Sequence, residues 1–303
     1  MIRVEDQAAS LRRMAQVLHS PQSFAFVGGR AAGTTTLVAE LGTALAQQQN
    51  ARVALFDAHP VRALVRRMAR HELETLDKVI QHQLPLDAAV TPLSDNLVLV
   101  GFHARPRLLA ELHLALAHRL EGEFTALVRD LNYLLFDVPA AELALAGIAD
   151  DVIVVLSPDH DCLTEVYAQI KRLAGEYGQR RFNVLLNRVH TLAEARLWFA
   201  RLSAVAGQYL SVSLRWVGYV PEDHWAKRAA ILRTTTVQSF PDSETAAAIS
   251  QLAARLPQDD LLQPALDAAE ILVADTASPL EHPAAPYDVF AFPRGTQAGV
   301  CLH

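Results

Sequence analysis

The chain has 303 residues, 51% of them hydrophobic and 20% charged, which predicts a globular protein with one large core. Its formal net charge of -6 argues against the broad basic surface that nucleic-acid binding requires. Two cysteines are too few for a disulfide framework, and no apolar run is long enough for a signal sequence or a membrane span. We therefore expect a cytoplasmic protein that does not bind nucleic acid.

The first predicted element is an amphipathic helix over residues 4–19. Its apolar face is formed by residues at helical spacing: Val4, Ala8, Leu11, Ala15 and Leu18. Ser20 and Pro21 end this pattern just before the first apolar run. Residues 1–20 are therefore treated as a unit separate from the main domain.

Short apolar runs alternate with segments of helical spacing through the main domain, residues 21–257. The runs predict strands at 24–27, 53–56, 97–100, 133–136, 152–156, 182–186 and 216–220. The helical segments are 35–48, 73–83, 108–128, 163–177, 192–210 and 245–256. This alternation predicts an α/β fold with a mainly parallel, twisted sheet of about seven or eight strands and helices on both faces.

Two further stretches are distinguished by their charge or composition. A basic run on a probable helix is interpreted as a solvated face, and it comprises Arg62, Arg66, Arg67 and Arg70. Residues 258–303 contain one helical pattern and then a Pro-, Ala- and Gly-rich stretch, which predicts a loosely ordered tail. The helical part, DDLLQPALDAAEILVAD, is acidic, so it argues against attachment to an anionic membrane.

The segment VGGRAAGTTTL, residues 27–37, lies between the first strand and the first main-domain helix, where phosphate-binding loops occur. In a working loop, backbone amides surround the phosphates, a lysine neutralises their oxygens and a hydroxyl holds Mg²⁺. If Thr35 supplies that hydroxyl, the lysine position is Thr34, which is neutral and short. The candidate nucleotide-binding residues of the loop are Gly28, Gly29, Arg30, Ala31, Ala32, Gly33, Thr34, Thr35 and Thr36. We expect weakened ATP or ADP binding without fast hydrolysis; a plain glycine-rich turn is the alternative.

Other polar residues follow later strands, at the carboxyl edge where open α/β sheets bind ligands. Asp57, Asp137 and Asn187 fall at this edge. By a resemblance to MinD/ParA-type ATPases, whose motifs follow, Asp57 and Asp137 are the catalytic candidates and, with Thr35, would lie on the Mg²⁺ side of a bound nucleotide. By the same resemblance, Asn187 and Asp223 match positions that frame the nucleotide base, with ordinary loop capping as the alternative.

These motifs resemble those of MinD/ParA-type ATPases, whose loop reads KGGVGKTT and whose second strand ends in DAD. The chain has GGRAAGTTTLVAELGTALA and then VALFDAHP. By this resemblance the two family lysines fall on Gly29 and Thr34, and the second Asp of DAD falls on His59. The resemblance implies an ATP site with Mg²⁺ and a homodimer, and the loss of two cations and one carboxylate implies a degenerate site.

Two further stretches resemble the FlhG (FleN) branch of this family, which regulates flagellar number and placement. The first spans residues 150–230, and its matching positions are Pro158, Asp159, Thr164, Tyr167, Ile170, Lys171, Arg181, Phe182, Asn187, Glu194, Ala195 and 218–223. The second, DQAASLR, fits the DQAxxLR motif with which the family stimulates the GTPase FlhF. By this resemblance, the residues that bind the partner are Asp6, Gln7, Ala8, Leu11 and Arg12.

The resemblance therefore implies a regulator that binds FlhF, stimulates its GTP hydrolysis and acts at the cell pole or peripheral to the inner membrane. Flagellar basal-body proteins or transcription regulators would be further partners. One alternative is a polar scaffold of the CpaE/TadZ or BcsQ type, whose loops also read GTTT. The other is a still-active MinD-like ATPase in which Arg30 and a second subunit supply the missing charge. A role in DNA partition is disfavoured by the charge balance.

Overall fold

The computed structural model describes residues 21–69, 71, 73–103 and 114–256. The predicted N-terminal helix with its motif residues Asp6 to Arg12, the segment 104–113 and the C-terminal tail lie outside the described residues. The account below concerns the main domain.

Eight strands form a single sheet. They are β1 (Gln22–Gly28), β2 (Val53–Asp57), β3 (Val90–Ser94), β4 (Leu97–Gly101), β5 (Tyr133–Asp137), β6 (Asp151–Leu156), β7 (Arg181–Val189) and β8 (Ser213–Pro221). Their order is β3-β4-β2-β5-β1-β6-β7-β8, and β3 alone among them pairs antiparallel, with β4. The predicted mainly parallel sheet is confirmed.

Each of the seven predicted strands is present, and β3 is the one that sequence patterning missed. Pro92 lies within β3, and its residues are half-buried or exposed because β3 is an edge strand. An edge strand of this kind lacks the continuous apolar run that marks the central strands.

Helices connect the strands. The long ones are α1 (Thr34–Gln48), α4 (Leu114–Val128), α6 (His160–Glu176), α7 (Leu192–Tyr209) and α10 (Glu244–Arg255). The short ones are α2 (Ala63–Met68), α3 (Leu76–His82), α5 (Ala144–Gly147), α8 (His224–Ile231) and α9 (Thr236–Ser239). None of the described helices is both long and apolar enough to cross a membrane.

The helices cover both faces of the sheet. The connection from β1 through α1 leads to β2, toward the β3 edge of the sheet. The connection from β6 through α6 leads to β7, toward the β8 edge. Because right-handed crossovers running in opposite directions lie on opposite faces, α1 and α6 flank β1 from the two sides. This arrangement places the loop between β1 and α1 at the centre of the carboxyl edge.

An aromatic cluster packs at the ends of the strands that lead to this edge. The rings of Phe56 and Phe136 stack with their centroids 4.5 Å apart, and Phe102 meets Phe56 edge-on at 5.2 Å. Such pairs stabilise by about 0.5–1.5 kcal/mol beyond their buried area. They fix the ends of β2 and β5, where the next residues are Asp57 and Asp137.

Candidate functional site

Strand register brings three predicted parts of the site together. Phe26 pairs with Asp137, and Asp57 pairs with Asp137 across β2 and β5. The loop that follows β1 therefore begins beside both carboxylates, as expected for the carboxyl edge of a parallel sheet.

The backbone of the loop ends in a left-handed glycine at the start of α1. Gly33 has φ 83° and no side chain caps the helix N-terminus. A Cβ at Gly33 would lie 2.6 Å from Asn187 Nδ2, so glycine is required by both backbone angle and space. The first backbone N–H groups of an uncapped helix are available to an anion such as a phosphate.

The residues at the end of β7 hold the loop on one side. Asn187 Nδ2 donates to the Ala32 carbonyl at 2.6 Å, and Arg188 Nη1 donates to the Ala31 carbonyl at 3.1 Å. Asn187 is thus tied to the loop backbone and also lines the adjoining cavity.

Helix α6 holds the other side of the loop. Gln169 Nε2 donates to the Gly28 carbonyl at 2.9 Å, and the Glu165 carboxylate accepts the Arg30 backbone N–H. Sequence patterning did not single out these two residues, because a polar residue on an amphipathic helix carries no sign of its distant partner.

Neither family lysine position can present a cation here. A Cβ at Gly29 would lie 2.7 Å from Cys162 Sγ, so the packing admits only glycine. The Thr34 hydroxyl points toward Gly28, and a Cβ added to Gly28 would clash with it. Arg30 is the cation of the loop; its side chain is 89% exposed, and its Nε lies 3.9 Å from Glu165.

Asp57 is buried and held by its own loop. Its Oδ1 accepts the His59 N–H at 3.1 Å, and its Oδ2 accepts the Val65 N–H at 2.8 Å. Burial raises the pKa of Asp57 above its usual value; the two hydrogen bonds oppose that rise, and the charge of Asp137 adds to it.

Asp137 is fully buried, and no described residue donates a well-formed hydrogen bond to either of its oxygens. Beside it lies His59, whose Nε2 is 3.3 Å from Oδ1; this contact is an ion pair when the imidazole is protonated. Burial acts to lower the pKa of His59, but the contact with Asp137 and the charges of Asp137 and Asp57 outweigh it, so this pKa is raised.

A cavity of about 250 Å³ adjoins the loop on the β7–β8 side. Its lining includes both base-framing candidates, Asn187 and Asp223. The Asp223 oxygens accept the backbone N–H groups of Trp225 at 2.9 Å and Thr245 at 3.3 Å. Asp223 therefore caps α8 while it forms part of the cavity wall.

The cations of this cavity wall are already paired. Glu222 accepts from Arg188 at 2.9 Å and from Lys227 at 2.6 Å. Burial acts to raise the pKa of Glu222, but these two cations outweigh it and lower the pKa. A phosphate would therefore be bound by the backbone amides of the loop rather than by the side chains of Arg188 and Lys227.

Glu40 is a buried residue of the site region that sequence patterning missed. It lies in α1, is 0% exposed, and accepts the Thr236 backbone N–H at 2.8 and 2.9 Å and the Thr236 hydroxyl at 2.8 Å. Arg67 Nη2 approaches it at 3.4 Å with a side chain only 9% exposed. The prediction of a solvated arginine face is therefore wrong for Arg67, because its charge is neutralised inside the protein. The one available signal was a glutamate within the apolar run LVAELGTALA.

The loop has the features that a bound phosphate group requires. The loop has a glycine-built backbone and an uncapped helix N-terminus, as a phosphate requires. Within the described ranges, no group of three or more His, Cys, Asp or Glu side chains is arranged to hold a metal. The geometry therefore supports anion binding by backbone amides.

No protein-family model matches the chain. Among curated proteins it is similar to the antiactivator FleN of Pseudomonas aeruginosa, with 29% identity over 137 residues, or 44% of this chain and 49% of FleN. The match thus spans about half the length of FleN. An uncharacterised ATP-binding protein of Methanocaldococcus jannaschii is 27% identical over 233 residues, covering 74% of this chain and 83% of that protein.

Solved structures of MinD and ParA proteins share the fold. MinD of Aquifex aeolicus superposes with a TM-score of 0.60 at 19% identity, covering 78% of this chain and 96% of MinD. A ParA family ATPase of Chlorobium tepidum gives 0.59 at 18% identity, covering 78% and 99%. MinD of Pyrococcus horikoshii, solved with Mg-ADP, gives 0.54 at 20% identity, covering 77% and 94%.

The sheet order, the position of the loop and these similarities agree with the resemblance found in the sequence motifs. The chain has the fold of the MinD and ParA proteins, and part of it is similar in sequence to FleN.

Proposed function

We propose that this protein is a FleN/FlhG-type regulator of flagellar number that binds the GTPase FlhF through residues 4–19 and stimulates its GTP hydrolysis. The support is the similarity to FleN, together with the DQAASLR motif at residues 6–12. In this proposal the apolar positions Ala8 and Leu11 dock the helix on FlhF, and the Gln7 amide orients the attacking water. The protein acts in the cytoplasm, at the cell pole or peripheral to the inner membrane.

The observation that carries the regulatory role is the loop without a lysine. Its backbone is shaped for a phosphate, yet Thr34 and Gly29 supply no charge to stabilise a transition state. A nucleotide bound there would alter conformation or pairing of the chain without rapid turnover.

The decisive experiment measures GTP hydrolysis by the cognate FlhF alone, with this protein, and with two variants. Gln7→Ala lies in the motif, while Gln16→Ala is the matched control because it removes a glutamine from the same predicted helix outside the motif. We expect stimulation that Gln7→Ala abolishes and Gln16→Ala retains. No stimulation by any form would reject FlhF activation and favour the scaffold of the CpaE/TadZ or BcsQ type.

One observation favours a second candidate, an active ATPase that works as a homodimer. Arg30 projects from the loop with an 89% exposed side chain, so it could neutralise phosphates in a second copy of the chain. Steady-state ATP hydrolysis that is lost on Asp57→Ala would establish this function. Absence of turnover at millimolar ATP with Mg²⁺ would exclude it.

A further inference from the structure

The two carboxylates that the resemblance assigns to the metal side each lie against other groups of the chain. Both Asp57 oxygens accept backbone N–H groups, from His59 and Val65. Asp137 Oδ1 faces His59 Nε2 at 3.3 Å. The His59 imidazole therefore occupies the space beside Asp137 Oδ1, which a metal ion bound to that oxygen, or a water of its shell, would need.

The backbone around His59 holds its ring in this position. The His59 N–H is bound to Asp57, its carbonyl accepts the Arg62 N–H at 2.9 Å, and the neighbouring Ala58 N–H donates to the Asp137 carbonyl at 3.2 Å. Arg62 has φ 53°, so the turn is a specific, left-handed one. The His59 side chain is only 24% exposed, which limits the ways in which it could swing aside.

The chemistry of His59 is unsuited to Mg²⁺. This ion requires near-octahedral oxygen coordination at about 2.0–2.1 Å and keeps several of its waters, while imidazole is a ligand of softer metals. By contrast, an imidazole can lie beside a buried carboxylate without any metal ion, and His59 does so with Asp137 at 3.3 Å, although the two form no well-formed hydrogen bond. The metal-side residues and a hydrated Mg²⁺ therefore compete for the same space.

We infer that His59 takes the place of the magnesium ion, so that this chain binds nucleoside di- and triphosphates through its loop amides independently of Mg²⁺. The inference rests on the proposed nucleotide binding, and it makes His59 a specificity-determining residue for the cofactor. It does not depend on FlhF.

The test is calorimetric titration of the full chain with ADP and with ATP, in millimolar Mg²⁺ and in EDTA. Three variants accompany the wild type. His59→Asp adds a carboxylate and removes the imidazole, and His59→Ala removes only the imidazole in case three neighbouring acids prevent folding. His103→Ala is the matched control, because the His103 ring contacts the Ala58 carbonyl, at 3.3 Å, on the same edge and, among the described residues, is not paired with either carboxylate.

We expect the wild type and His103→Ala to bind equally well with and without Mg²⁺. His59→Asp, or His59→Ala if the former does not fold, should bind at least about tenfold more tightly with Mg²⁺ than without it. Binding of Mn²⁺ to the nucleotide-loaded protein, followed by paramagnetic resonance, should appear only in the His59 variants.

Two results would overturn the inference. One is a loss of about tenfold or more in wild-type affinity on chelation, since it would show that the metal binds despite His59. The other is an absence of nucleotide binding under both conditions. Neither result bears on stimulation of FlhF, which is measured separately, so failure here is distinguishable from failure of the proposed regulatory role.

Discussion

Two buried carboxylates lie on either side of the phosphate loop, and their surroundings differ. Glu40 receives backbone and hydroxyl hydrogen bonds from Thr236 and is paired with Arg67. Asp137 is equally buried, but no described residue donates a well-formed hydrogen bond to it, and the ring beside it is that of the partly exposed His59. One carboxylate is satisfied inside the fold, and the other keeps unused acceptor capacity at the edge of the site.

The difference indicates that Glu40 has a structural role and Asp137 a functional one. Burial raises the pKa of Glu40, although the hydrogen bonds of Thr236 and Val237 and the charge of Arg67 oppose the rise. Burial likewise lowers the pKa of Arg67. Because their charges meet inside the protein, α1, α2 and α9 are held together. A buried carboxylate left without donors is unfavourable to folding, and such groups occur mainly where they serve a function.

The largest expected effect is on Glu40. Glu40→Gln should lower the free energy of unfolding by about 3–5 kcal/mol, because Arg67 loses its buried counter-charge and the new amide NH₂ faces the Thr236 donors. Urea unfolding measures this, with Glu121→Gln as control. Glu121 is 77% exposed and lies 3.6 Å from an exposed His118, so its change should stay within about 0.5 kcal/mol. Equal effects of the two substitutions would contradict a structural role for Glu40.

A smaller effect is expected at Asp137. Asp137→Asn is the same isosteric change, yet it removes a charge that no described residue satisfies with a well-formed hydrogen bond. We expect the free energy of unfolding to remain within about 1 kcal/mol of the wild type in the same urea experiment. A loss as large as that of Glu40→Gln would mean that the two carboxylates are equivalent, and the comparison would fail.

The smallest effect is the pH dependence due to His59. Its pKa is raised in the folded state, so its stabilising contribution is complete below the unfolded-state pKa, about 6.5, and is lost as the pH rises through the higher folded-state pKa. The difference in unfolding free energy between wild type and His59→Asn should therefore shrink with rising pH in that window. A difference that is constant or grows would show that His59 and Asp137 are not coupled.

Much of the fold was predictable because the central strands are buried on both faces and read as continuous apolar runs. Edge strand β3, with Pro92, has no such run. The short helices α5 and α9 also went unpredicted, since segments of four residues carry too little periodicity to recognise. Their positions depend on the elements against which they pack.

The local parts of the site were visible in the chain itself. Glycines and threonines after a buried strand predict a loop, and an Asp at the end of each of two such strands predicts neighbouring carboxylates, since parallel strands end at one edge. The contact of Glu40 with Thr236 could not be read in this way, because 196 residues separate the two. The same holds for Glu165 and Gln169, which reach the loop from α6 across 135 and 141 residues.

By itself, the sequence determined the α/β architecture, the place of the loop and the absence of lysine from it, because these follow from local periodicity and residue identity. Only the tertiary structure decided which charges meet. It paired Arg67 with Glu40 in the interior, placed His59 against Asp137, and turned the Thr34 hydroxyl toward Gly28. The physical reason is that electrostatic partners are selected by distance and burial in the folded chain, and neither quantity is contained in local spacing.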